Sequence, residues 1–125
     1  MINKITLNKV ILTIGLILSW ASSQATTYIF VSHSMPDSAL RGYFKEAQSH
    51  EAILVMRGLY QDDFMATKAK AESLKISYQI DPNLFDAHGI KQVPVIIQDN
   101  DGIVKKITGH IRLQEALRQF AEDAD

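Results

Sequence analysis

Short apolar runs alternate with helical stripes along this chain. Tyr28-Ile29-Phe30-Val31-Ser32 is a β-type run. It leads into Ser34-Met35-Pro36-Asp37, where Pro36 suits a first helical turn because its missing N–H is harmless there. Ser34 or Met35 is the expected capping position. Leu40, Tyr43, Phe44 and Ala47 recur at helical spacing, with Arg41, Lys45, Glu46 and Gln48 on the other side, which predicts an amphipathic helix over 37–49. Ala52 to Met56 is a continuous apolar run, the pattern of a strand covered on both faces, and Arg57-Gly58-Leu59 ends it. Asp62 and Asp63 favour a helix start, and Phe64, Ala71 and Leu74 give a weaker helical face down to Lys75.

Ile76 to Ile80 alternates as a third strand, and Asp81-Pro82 opens a short helical turn over 83–88 that Gly89 stops. Val93-Pro94-Val95-Ile96-Ile97 follows, a strand that tolerates its proline only at the start, at an edge or at a bulge. Asn100-Asp101-Gly102 is a tight turn signal, with Ile103 to Ile107 as the return strand of a hairpin. Ile111, Leu113, Ala116, Leu117 and Phe120 line a last helix, and residues 122–125 read as a frayed tail. Strands joined by helices imply parallel pairing with right-handed crossovers, and the late hairpin adds an antiparallel pair. The expected fold class is α/β, a mixed sheet with helices on both faces.

The first segment stands apart from this pattern. Met1 to Lys9 carries Lys4 and Lys9 and no acid, Val10 to Ala21 is almost wholly apolar, and Ser23-Gln24-Ala25 places small residues at a signal peptidase site. This layout predicts a secretory signal over 1–25, cleaved after Ala25, ahead of one domain over 26–125. An apolar run of about a dozen residues is short against the roughly 20 that span a bilayer, so no stable membrane anchor is expected after cleavage. With Cys 0 there is nothing to lipidate. The export route leads to the periplasm, an oxidising compartment, where packing without disulfides must hold the domain.

Composition narrows the function. A hydrophobic fraction of 46% with 22% charged residues is that of a globular protein rather than a disordered one. The net charge of -1, with cations spread along the chain, excludes nucleic-acid binding through a strong basic field. Once Lys4 and Lys9 are removed, 11 cations face 14 acids.

Four readings can be weighed on residues alone. His33 and Ser34 could be a base and a nucleophile, but neighbours leaving a strand point to opposite faces, so Ser34 reads rather as a helix cap. The four histidines show no ligand spacing, and no metal or other cofactor is expected. Arg57 directly follows a buried strand, at the rim where open α/β sheets bind ligands, and a salt bridge to Asp62 or Asp63 is the plainer alternative. Met35 and Val93 are apolar residues at two turns expected to be close together. Core packing and an exposed groove for a partner segment are both open for them.

The order of elements resembles a thioredoxin-like fold, and two proline sites carry the resemblance. One is the strand-to-helix junction Ser34-Met35-Pro36-Asp37, at the place where thiol-disulfide oxidoreductases carry Cys-x-x-Cys. The other is Val93-Pro94, where that fold places a cis-proline facing the junction. Four ordered blocks are further similar to the TrbC family of F-type conjugative transfer systems: Phe30 to Pro36, Met56 to Leu59, Ile80 to Phe85 and Gly89 to Pro94.

That resemblance implies a periplasmic, non-enzymatic assembly factor for the conjugative pilus, a type IV secretion apparatus, acting beside a separate TraW-like partner and other periplasmic transfer proteins. A partner segment would then lie over Ser34, Met35, Pro36, Asp37, Arg57, Val93 and Pro94. The alternatives are a cysteine-free thioredoxin-fold module that holds peptides as a chaperone does, a subunit that binds through the outer helix surface around Arg41, Lys45 and Gln48, and a serine-based hydrolase.

Overall fold

The computed structural model describes residues 25–123. Apart from Ala25, the expected signal segment lies outside the described residues, as do residues 124 and 125 of the expected tail. The elements run β1 (Thr26–Val31), α1 (Asp37–Ser49), β2 (Ile53–Met56), a 3-10 turn (Tyr60–Asp62), α2 (Phe64–Leu74), β3 (Gln79–Ile80), α3 (Pro82–Ala87), β4 (Val95–Asn100), β5 (Ile103–Thr108) and α4 (Leu113–Glu122). The sheet order is β3-β2-β1-β4-β5.

The period of two along each strand divides the core between the sheet's faces. Ile29 and Val31 of β1, Leu54 and Met56 of β2, and Ile96 of β4 face one cluster, filled by Leu40, Tyr43 and Ala47 of α1, Leu74 of α2 and Leu113, Ala116 and Phe120 of α4. Phe30, Val55, Val95 and Ile97 face the other, closed by Phe85 of α3 and by Ile90. The register sets Phe30 beside both Val55 and Val95, so β1 is the centre of the molecule. Helices thus cover both faces, unequally.

β1, β2 and β3 are parallel as expected, but β4 runs antiparallel to β1, so two antiparallel pairs exist where one was expected. The cause is the length of α3. At 6 residues it advances only about 9 Å, too little to carry the chain back to the amino end of the sheet. The 13 residues of α1 and 11 of α2 do make that return.

Local chemistry fixes the ends of these elements. Asp63 caps α2, its carboxylate accepting from the amides of Met65 and Ala66, and Asp81 caps α3 through Leu84 N–H with Pro82 in the first turn. The hairpin turn places Asp101 and Gly102 at positive φ, which Asp-Gly tolerates.

Four expectations are corrected. The third strand shrinks to Gln79–Ile80, because Lys75 turns left-handed and sends Ile76 into the core before pairing begins. Phe64 is 68% exposed, since it occupies the first turn of α2, where no described residue covers it. Glu46 turns inward rather than to solvent and accepts a 2.8 Å hydrogen bond from Leu113 N–H at the start of α4. Glu122 is helical and pairs with Arg118, not frayed.

Candidate functional site

The junction between β1 and α1 is a tight loop. Met35 N–H donates to the Ser32 carbonyl at 3.1 Å, and the Ser32 and Ser34 hydroxyls share a hydrogen bond at 2.9 Å. Ser34 N–H also donates to Ser32 Oγ. The N-cap of α1 is Pro36, whose carbonyl accepts from the amides of Ala39 and Leu40, with no side-chain cap. Neither Ser34 nor Met35 caps this helix, contrary to expectation. The Ser34 hydroxyl is already committed to Ser32.

Among the described residues, His33 makes no hydrogen bond with this serine pair. Its ring lies 5.4 Å from the ring of Tyr60 and 5.4 Å from that of Tyr78, centroid to centroid. Among the described residues, both ring nitrogens and the Tyr78 hydroxyl are buried with no side-chain or backbone hydrogen bond of good geometry. Burial, aided by the nearby Lys70 ammonium, pulls the His33 pKa below its ordinary value, with the Gly58 backbone opposing more weakly. The ring is therefore neutral at neutral pH, and among the described residues nothing links it to Ser34 as a base. Lys70 sits 4.3 Å from the centre of the Tyr60 ring and 3.5 Å from the Asp37 carboxylate, which ties α2 to the start of α1.

Arg57 leaves β2 and folds across the end of the sheet. It donates to the Asp86 carboxylate at 3.0 Å and to the Ile90 carbonyl at 3.2 Å, and its guanidinium lies over the Phe85 ring. The expected ion pair to Asp62 or Asp63 is not formed; Asp86 is its partner instead. Beyond Leu59, the residues Gln61 and Asp62 both hold φ of 54°, a left-handed conformation that costs a residue with a Cβ about 1–2 kcal/mol. Thr67 pins this turn, with its hydroxyl accepting from Tyr60 N–H and donating to the Asp63 carbonyl.

These segments enclose a cleft of about 390 Å³ at the carboxyl ends of β1 and β2. Its floor is apolar, from Val31, Met56, Phe85 and Ile90, and its rim carries His33, Arg57, Asp62 and Lys91. Val93, half-buried before the cis Val93–Pro94 bond, forms one wall. The fold therefore brings Arg57 and Val93 of the expected set into one cleft. Met35 packs in the main core and Pro94 is fully buried, and neither lines the cleft. Ser34, Pro36 and Asp37 are exposed but do not line the cleft.

Leu59, Tyr60, Gln61, Ile90 and Lys91 also line the cleft, outside the set expected from the sequence. The one available signal was Leu59-Tyr60, an apolar pair stranded between a strand end and two acids. The cleft can hold an extended or side-chain-bearing ligand against apolar floor and polar rim. Ser32 also lines it, its hydroxyl hydrogen-bonded to that of Ser34.

Residues 29–120 match the family described as type-F conjugative transfer system pilin assembly protein. A curated relative, the periplasmic protein TrbC of Escherichia coli (strain K12), is 30% identical over 101 residues, which cover 77% of this chain and 48% of the relative. The chain thus spans about half the length of that relative. Among solved structures, StoA from Bacillus subtilis superimposes with a TM-score of 0.58 at 16% identity, over 78% of this chain and 82% of the other. A secreted Mycobacterium tuberculosis disulfide oxidoreductase gives 0.53 at 12% identity, over 78% and 81%. These structures share a thioredoxin-like fold with this chain.

Proposed function

This chain belongs to the family of type-F conjugative transfer system pilin assembly proteins and is periplasmic, and we propose that it assists assembly by holding a protein segment in the cleft, without catalysis. The observation that carries this reading is the cleft itself, an apolar floor with a polar rim, set at the sheet end where no thiol is present because the chain has Cys 0. Strand-like binding of a segment needs backbone groups and side-chain pockets, not sulfur. The neutral His33 and the serine pair Ser32–Ser34 supply no base-nucleophile couple that would argue for hydrolysis. A TraW-like protein, implied by the family resemblance, is the proposed partner.

Rim residues test the location without threatening the core. Leu59, 37% exposed, and the exposed Lys91 both line the cleft and lie outside the buried core, so Leu59→Asp with Lys91→Glu spares that core. Met35 is unsuitable, since a charge in the core would test folding instead. The expected result is at least a tenfold loss of TraW-like protein co-purified with the folded double variant. Undiminished co-purification would move the binding face elsewhere. Ser34→Ala should leave pilus assembly unchanged, and its loss in a folded variant would favour the hydrolase reading.

A further inference from the structure

A second surface, separate from the cleft, has a chemistry of its own. Between α1 and the end of α2 lies a groove of about 540 Å³. Its depth is apolar, from Phe44, Leu74 and Ile76, and its rim carries Arg41, Lys45 and Lys75. None of the lining residues is acidic. Among the described residues, none of these three cations takes part in an ion pair.

This concentration stands out on a chain with more acids than Lys and Arg, 14 against 13. Three like charges around one recess repel one another, and an occupant bearing negative charge relieves that repulsion. A second recess shares Phe44 and Gln48 with it and is lined further by Ala52, Ile53 and Tyr78. Their combined extent suits several successive side chains rather than a single small anion. Leu74 and Ile76 form the floor at 5% and 8% exposure, and the half-buried Phe44 gives the groove its accessible apolar wall.

We propose that this groove docks an acidic amphipathic segment of a partner protein, with apolar side chains seated between α1 and α2 and carboxylates set against Arg41, Lys45 and Lys75. Helix-in-groove recognition has this form, apolar anchors on one stripe and charge at its margins. The site does not depend on the occupancy of the cleft.

The test uses the protein purified from the periplasm and a synthetic helical peptide with leucines on one face and glutamates at its margins. Amide NMR shifts are followed at low and moderate salt. The expected result is saturable shifts confined to residues 41–52 and 73–79, weakened at least tenfold when salt is raised or in Arg41→Glu with Lys45→Glu. Both side chains are exposed on α1, so the helix is kept, and Arg41→Gln with Lys45→Gln gives a milder check. Leu59→Asp at the cleft should leave this binding unchanged, so failure here is distinct from failure of the cleft reading.

Equal binding of a peptide with glutamine for glutamate would overturn the proposal. So would absence of binding at low salt, undiminished affinity in the charge-reversed variant, or shifts centred on the cleft. Binding of phosphatidylglycerol vesicles without binding of the acidic peptide would overturn it in favour of a membrane surface.

Discussion

His33 sets a polar ring between Tyr60 and Tyr78, where burial disfavours its charged form. Burial holds its folded pKa below the ordinary 6.5, so as pH falls the unfolded chain takes the proton first. The stability contributed by the neutral ring is fully present above about 6.5 and is lost as pH falls through that value toward the folded pKa. Urea titrations at pH 8 and pH 5 should show a steeper loss for the parent than for His33→Phe. Identical losses would mean that the imidazole is solvated. Arg57 is the second telling residue, because its contacts with Asp86 and Ile90 brace the cleft wall from 29 and 33 positions away. Sequence spacing carries no trace of such a pairing, which is why the nearer acids Asp62 and Asp63 looked plausible.

At the scale of elements, α4 depends on a cap from another helix. Its own N-cap, Arg112, supplies no side-chain acceptor, and Glu46 of α1 fills that role for Leu113 N–H. The Tyr43 hydroxyl, donating to the Ile111 carbonyl, holds the same junction. Glu46→Ala should cost about 1 kcal/mol, the ordinary loss of a cap. The thermal midpoint should then fall by roughly 4–8 °C, with Glu46→Gln recovering part of it. An unchanged midpoint in the alanine variant would show that α4 is held by packing alone. α1 was legible to both its ends because its apolar stripe is strong and Pro36 marks its start. β3 was not, because Ser77 and Tyr78 alternate like strand residues while the left-handed Lys75 delays the pairing. The direction of β4 was hidden for another reason, since it depends on how far a six-residue helix reaches, not on any residue's preference.

For the whole molecule, the sheet with its two-faced core was readable from period-two runs, while the cleft depended on loops that no periodicity describes. His33 and Arg57 could be singled out one at a time, but the left-handed turn at Gln61 and Asp62 that closes the cleft leaves no mark on spacing. What holds that cleft in place is the sheet below it, and Phe30 is the point where its strands meet. The ring is fully buried between Val55 and Val95 and stands edge-on to Phe85 at 5.0 Å. Phe30→Ala removes both the transfer free energy of the ring and its packing, a cost of about 3–5 kcal/mol. Against a typical total of about 5–15 kcal/mol, that leaves a domain near its limit. No disulfide can offset the loss, since the chain has Cys 0. Denaturation of the parent should therefore be the same with and without reductant, and Phe30→Ala should unfold at much lower urea in both. The more conservative Phe30→Leu fills most of the volume and should retain partner binding at the cleft rim. If Phe30→Ala kept the parent midpoint, the face closed by α3 would contribute little, and the cleft would need another foundation.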